Sequence, residues 1–179
     1  MESGYIILDR DGVINEDSDD YIKSAEEWIP IPGSLEAIAR LEHAGYSVAV
    51  ATNQSGIARG LFTEGDLNAM HRKLHHELAR LGAHIDLIAW CPHGPGEECG
   101  CRKPAPGLYQ QIAARWKTEL AGLPIVGDSL RDLQAAIAVG AQPILVRTGK
   151  GRKTEEQLQE LGNIPVYEDL EQVAAALLD

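Results

Sequence analysis

Short runs that are apolar at nearly every position punctuate this sequence: Tyr5–Leu8, Ser47–Ala51, Ile85–Trp90, Pro124–Val126, Pro143–Val146 and Ile164–Tyr167. A strand built from such a run has no face to give to water. Between the runs, apolar residues recur at spacings of three and four, the period of a helix with one buried stripe. A helix is predicted after Pro32-Gly33 with Leu35, Ile38, Ala39 and Leu41 inward. The next opens with Thr63 as N-cap and Asp66 closing an approximate capping box, and its stripe is Leu67, Met70, Leu74, Leu78 and Leu81. Further helices are predicted over 107–116, 130–139, from near Thr154, and over 170–178. Doubly buried strands alternating with helices give an α/β fold, a Rossmann-like parallel sheet flanked by helices. In such sheets ligands bind beyond the carboxyl ends of the strands.

Those ends are rich in groups with little to gain from packing. The first run is followed by Asp9-Arg10-Asp11-Gly12, and an i, i+2 spacing in extended chain puts both carboxylates on one side. One could attack phosphorus while the other handles the leaving-group proton, with Mg²⁺ between them. The second run ends in Thr52-Asn53-Gln54-Ser55-Gly56, hydroxyl and amide groups able to hold phosphate oxygens. The fourth ends in Gly127-Asp128-Ser129, with Asp132 on the first helical turn, either to cap a helix or to complete a metal site. Lys103 stands just before Pro104. A capped turn is the plainer reading of the Thr52 run and the lesser one of Asp9–Gly12; any one of these is weak evidence, and four at successive strand ends are not.

The three cysteines lie close together, in Cys91-Pro92-His93 and Cys99-Gly100-Cys101. Three thiols and an imidazole on a short Gly- and Pro-containing loop are a complete tetrahedral set for a structural Zn²⁺. A local disulfide with a spare thiol is disfavoured in a reducing compartment, and three free core cysteines are disfavoured by a loop with no large aliphatic residue. The zinc would fix loop 91–103, which ends in Arg102 and Lys103.

Sixteen Lys plus Arg against 27 Asp plus Glu leave a net charge of −11, which argues against a nucleic-acid partner. A small phosphorylated substrate remains compatible, because a bound cation and a few basic side chains reverse the local sign. No apolar stretch is long enough to span a membrane. Glu2 and the short first run do not make a signal peptide, so a cytoplasmic location is expected.

The order Asp9-x-Asp11-Gly12, Thr52, Lys103, then Gly127-Asp128 with Asp132 resembles the four motifs of the haloacid dehalogenase superfamily. The resemblance implies Mg²⁺-dependent phosphoryl transfer through an aspartyl-phosphate. Asp9 would be the nucleophile, Asp11 the general acid and then base, and Thr52 and Lys103 would stabilise the transferring group. Mg²⁺ would be held by Asp9, the carbonyl of Asp11, and Asp128. Val13 departs from the Thr more usual in the superfamily. The runs Asp9–Asn15, Thr52–Gly60 and Cys99–Pro104 resemble one branch in particular, the heptose bisphosphate and histidinol phosphate phosphatases, and are most like the former.

That branch implies removal of the 7-phosphate of a heptose 1,7-bisphosphate, on the way to the ADP-heptose of lipopolysaccharide core or surface-layer glycans. It also implies sugar-bisphosphate contacts from Asp17, Asp20, Tyr21, Asn53, Gln54, Ser55 and Arg102. Ser129 stands where some of these enzymes carry Lys, which removes a cation near the site. Histidinol phosphate is the alternative substrate, and a non-catalytic zinc-stapled binding module the alternative of another class. One monomeric domain over 1–179 without a large cap is expected. His71, His75 and His76 are expected to be packed or solvated, and the tract from Thr154 to carry no chemistry.

Overall fold

The computed structural model describes residues 4–179, so Glu2 lies outside the described residues. Six parallel strands form the sheet: β1 (Gly4–Leu8), β2 (Tyr46–Asn53), β3 (Leu87–Cys91), β4 (Pro124–Gly127), β5 (Gln142–Val146) and β6 (Val166–Tyr167), in the order β3-β2-β1-β4-β5-β6. Ile6 pairs with Val48 and Ile7 with Ile125, so β1 is doubly covered at the centre. The chain steps outward through β2 and β3, then returns to the other side of β1. That reversal puts a crevice at the carboxyl ends of β1 and β4.

Alternation along the strands divides the core in two. Ile6, Leu8, Val48 and Val50 pack with α1 (Ser34–His43), α2 (Glu64–Ala79) and the final helix, α6 (Leu170–Leu178). Ile7, Ala49, Ala51 and Ile125 pack with α3 (Gly107–Trp116) and with Ala135 and Ala136 of α4 (Leu130–Ala138). One further short helix, α5 (Gly151–Glu155), follows β5. The described residues include no large cap.

The predicted capping box at Thr63 is formed: Thr63 N–H donates to Asp66 Oδ2 (2.8 Å) and Asp66 N–H to Thr63 Oγ1 (3.1 Å). Several boundaries differ from the sequence reading, β6 among them, which starts at Val166 rather than Ile164. Gly82, at φ +69°, ends α2 in a Schellman turn, with Ala83 N–H donating to the Leu78 carbonyl. Leu81 therefore leaves the buried stripe and is exposed. β3 starts at Leu87, since Ile85 is buried ahead of the pairing. α5 begins at Gly151 rather than near Thr154 and runs for only five residues. No helix among the described residues is long and apolar enough to cross a membrane.

Candidate active site

At the β1/β4 crevice, Asp9, Asp128 and Asp132 bring one carboxylate oxygen each within 4.8 Å of the others. Lys103, only 2% exposed, enters this acid group from the cysteine loop. Its ammonium donates to Asp132 Oδ1 (2.6 Å), Asp9 Oδ1 (3.1 Å) and the Ala51 carbonyl (2.8 Å). Burial opposes its charge, but Asp132 and Asp9 more than compensate and hold its pKa above the usual lysine value.

Asp132 resolves the choice left open by the sequence: its two oxygens do separate jobs. Oδ2 caps α4, accepting from Ser129 N–H (3.1 Å), Ser129 Oγ (2.9 Å) and Asp128 N–H (3.2 Å), while Oδ1 holds Lys103. Although burial pushes its carboxyl up, Lys103 and these donors leave it below the ordinary value.

Asp9 and Asp128 are in the opposite situation. Burial, followed by the charge of Asp132, raises Asp9 well above its ordinary pKa and lifts Asp128 to about 7. One ammonium cannot balance three buried carboxylates. A set of hard oxygen ligands carrying excess negative charge fits a divalent cation such as Mg²⁺. Glycine makes room for the Asp128 carboxylate: Gly12 (φ +87°) passes so close to it that a Cβ would collide.

Asp11 lies on the same crevice but belongs to another cation. Oδ1 accepts from Arg10 Nε (2.9 Å), Arg10 Nη2 (2.7 Å) and Asn15 Nδ2 (2.9 Å), and Oδ2 from Gln54 Nε2 (3.1 Å). Burial raises its pKa, but Arg10, with Asn15 and Gln54, brings it below the ordinary value. Gln54 Nε2 also donates to the buried Thr52 Oγ1 (2.9 Å).

Of the residues expected at the sugar, Asp17, Tyr21, Asn53, Gln54, Ser55 and Arg102 line the crevice. Asp20 does not. Its N–H closes a turn onto Ser18 Oγ (3.1 Å) and its side chain is exposed, so Ser18 and Asp19 take the lining positions. Asn53 is also a tether. It accepts from Lys103 N–H (3.0 Å) and donates to the Lys103 carbonyl (3.1 Å), which ties the cysteine loop to β2.

Sequence reasoning passed over Arg131, on the first turn of α4, and Lys150. Both line the crevice with Arg102 and Arg59, so a cation is present two positions beyond Ser129. It also assigned nothing to the segment after β5. There Thr154 Oγ1 donates to the Asp128 carbonyl (2.7 Å), Lys150 N–H to Asp128 Oδ2 (2.9 Å), and Thr148 Oγ1 to the Gly12 carbonyl (2.7 Å). No local pattern signals these contacts, since each depends on how β5 places the loop beside β1.

Behind the crevice, single ligand atoms of Cys91, His93, Cys99 and Cys101 lie within 4.8 Å of one another. The Cys91–Cys99 sulfurs are 3.9 Å apart and His93 Nδ1 is 3.4 Å from both Cys91 and Cys101 Sγ. Zinc–sulfur bonds of about 2.3 Å at tetrahedral angles put sulfurs about 3.8 Å apart. The Cys91–Cys101 pair, at 2.7 Å, is tighter. Backbone N–H groups of Arg102 and Cys101 lower the Cys99 thiol to about 7, and burial with the Cys101 bond raises Cys91 to about 12. The donor set fits a Zn²⁺ ion.

A family model described as polynucleotide kinase 3 phosphatase matches residues 5–130, and one described as HAD-hydrolase-like matches residues 100–173. The D-glycero-beta-D-manno-heptose-1,7-bisphosphate 7-phosphatase of Bordetella bronchiseptica is 58% identical over 97% of each chain. This chain belongs to that haloacid dehalogenase-like phosphatase family. The Pseudomonas aeruginosa enzyme of the same name is 54% identical over 99% of each chain. The crystal structure of the B. bronchiseptica D,D-heptose 1,7-bisphosphate phosphatase, complexed with magnesium and phosphate, superposes with a TM-score of 0.95 at 57% identity, covering 98% of each chain. The chain is therefore a phosphatase that hydrolyses a phosphate ester.

Proposed function

We propose that this phosphatase removes the 7-phosphate of D-glycero-β-D-manno-heptose 1,7-bisphosphate, a step towards the ADP-heptose of lipopolysaccharide core. The observation that carries the reading is a crevice with two electrostatically distinct ends. A buried acid cluster with Lys103 lies at its base, and Arg59, Arg102 and Arg131 lie along its rim. None of those guanidiniums has a carboxylate partner among the described residues, whereas buried Arg10 does. Burial, then Arg131, depresses Arg102. Three neighbouring cations without carboxylate partners suit a second phosphate, which a monophosphate such as histidinol phosphate does not have.

Asp9 Oδ1 is occupied by Lys103 and the Arg10 N–H, which leaves Oδ2 to attack phosphorus. As the P–O bond to C7 breaks, Asp11 gives its proton to the departing oxygen, and the phosphoryl group rests on Asp9. The incoming phosphate dianion is a like charge that pushes the Asp11 pKa back up. Water then attacks the aspartyl-phosphate, Asp11 takes the water proton, and phosphate leaves with Asp9 regenerated. Lys103 and the Thr52 hydroxyl hold the equatorial oxygens. Asp9, the Asp11 carbonyl and Asp128 would bind Mg²⁺, which when present offsets charge on nucleophile and phosphoryl oxygens. Cys91, His93, Cys99 and Cys101 would bind a structural Zn²⁺ that keeps Arg102 and Lys103 in place.

The test is phosphate release from heptose 1,7-bisphosphate, its monophosphates and histidinol phosphate, with and without Mg²⁺. The bisphosphate should have the highest kcat/KM, and only with Mg²⁺. A preference for histidinol phosphate, or full activity without Mg²⁺, would overturn the reading.

A further inference from the structure

Arg10 is completely buried beside the crevice, and its role is not explained by charge balance at the reacting phosphate. Burying a guanidinium is expensive unless most of its donors are satisfied. Here Nε and Nη2 both go to Asp11 Oδ1, and Nη1 faces Met70 Sδ (3.4 Å) and His71 Nε2 (3.2 Å). His71 sits on α2 next to Met70 of the apolar stripe and is buried, while its helix neighbours His75 and His76 are exposed.

An arginine can only donate, so His71 Nε2 must present its lone pair and the ring proton must be on Nδ1. The same surroundings keep the ring neutral: burial, then Arg10, depresses its pKa to about 3. A neutral histidine with a fixed tautomer is thus an acceptor that aims the far edge of the guanidinium. The near edge is then fixed against Asp11.

Its effect on Asp11 is asymmetric. Three donors crowd Oδ1, which has no room left for a proton. Oδ2 has the Gln54 amide alone, and that amide is shared with Thr52 Oγ1. The oxygen free to carry a proton therefore lies on the Thr52 side of the crevice, where the phosphoryl group is handled.

We propose that Arg10 and His71 are positioning residues: His71 orients Arg10, and Arg10 locks Asp11 so that Oδ2 is the proton-carrying oxygen. This rests on the acid–base role of Asp11 proposed above. It predicts a defect in proton delivery, which a general loss of packing would not produce. An alkoxide such as the heptose C7 oxygen needs a proton to leave, and p-nitrophenolate does not. Positioned proton transfer contributes about a hundredfold or more, and a misaimed donor loses part of it.

The experiment compares kcat/KM on heptose 1,7-bisphosphate and on p-nitrophenyl phosphate for His71→Leu, His71→Gln, Arg10→Lys and Asp11→Asn, with thermal melts of each. His71→Leu and Arg10→Lys should lose about tenfold on the bisphosphate and less than about twofold on the aryl ester. His71→Gln, whose carbonyl oxygen can accept from Arg10, should recover to within about threefold of wild type on both substrates. Equal losses on the two substrates, no loss in His71→Leu, or no rescue by glutamine would overturn the positioning role. If Asp11→Asn itself loses equally on both, the acid role of Asp11 fails and takes this proposal with it. If Asp11→Asn discriminates and His71→Leu does not, only the positioning fails.

Discussion

Lys103→Met removes the single ammonium between two buried carboxylates and leaves a chain of similar volume. The ammonium bonds Asp132 at 2.6 Å, Asp9 at 3.1 Å and the Ala51 carbonyl at 2.8 Å, and both Lys103 and Asp132 are buried. Breaking a buried pair by deleting one partner costs roughly 3–5 kcal/mol, because the other charge is left stranded. For a chain of this size that is a fall in Tm of about 6–20 °C.

The pH dependence separates stranded charge from lost packing. In the native protein the lowered pKa of Asp132 contributes stability above its unfolded value of 3.8, lost as pH falls through the lower folded value. In Lys103→Met, burial without the cation raises Asp132 and raises Asp9 further. A raised folded pKa gives stability that is present below 3.8 and lost as pH rises through the folded value. The gap between the two proteins should therefore be widest near pH 8 and shrink towards about pH 4. Urea unfolding across that range, in buffer without magnesium, measures it. A gap that is constant with pH, or under about 1 kcal/mol at pH 8, would refute the reasoning.

Asp9→Asn should keep the fold, seen by circular dichroism, and release no phosphate; even a tenth of native turnover would rule out covalent catalysis by this residue. Asp128→Ala should shift the Mg²⁺ requirement to much higher concentration, measured by titrating magnesium into the phosphate-release assay. Elemental analysis should find about one zinc per chain without added metal, and Cys101→Ser should lose zinc and activity together. Arg131→Ala and Arg102→Ala should each lower kcat/KM on the bisphosphate about tenfold to a hundredfold more than on p-nitrophenyl phosphate, the weight of one charge-assisted phosphate contact.

Much of the fold was legible because its signals are local. The uniformly apolar Tyr5–Leu8 can only be a strand covered on both sides, and it became the centre of the sheet. Thr63 and Asp66 set the start of α2 by direct mutual hydrogen bonds. Leu81 misled because its spacing continues the stripe, whereas Gly82 ends the helix by adopting a left-handed conformation that periodicity does not register. The crevice was likewise legible in outline, since parallel strands carry whatever follows them to one edge. Asp9, Thr52 and Asp128 had to meet once β2, β1 and β4 became neighbours.

What could not be read was how the charges are partitioned within that crevice. The i, i+2 spacing correctly put Asp9 and Asp11 on one crevice, but spacing says nothing about which cation each one meets. Within the crevice the two carboxylates diverge: Asp9 towards Lys103, ninety-four residues away, and Asp11 towards Arg10, its own neighbour. The consequence is chemical. Burial and the neighbouring acids drive Asp9 up, which favours a site completed by a divalent cation. Arg10 holds Asp11 down, and in the mechanism proposed above an arriving phosphate dianion would raise it. Two carboxyl groups two residues apart are thereby shifted in opposite directions by different partners. Those partners come from the loop after β1, the cysteine loop and the first turn of α4. The charges around Asp9 are therefore a property of the tertiary structure, while the Arg10–Asp11 pair is local to the chain.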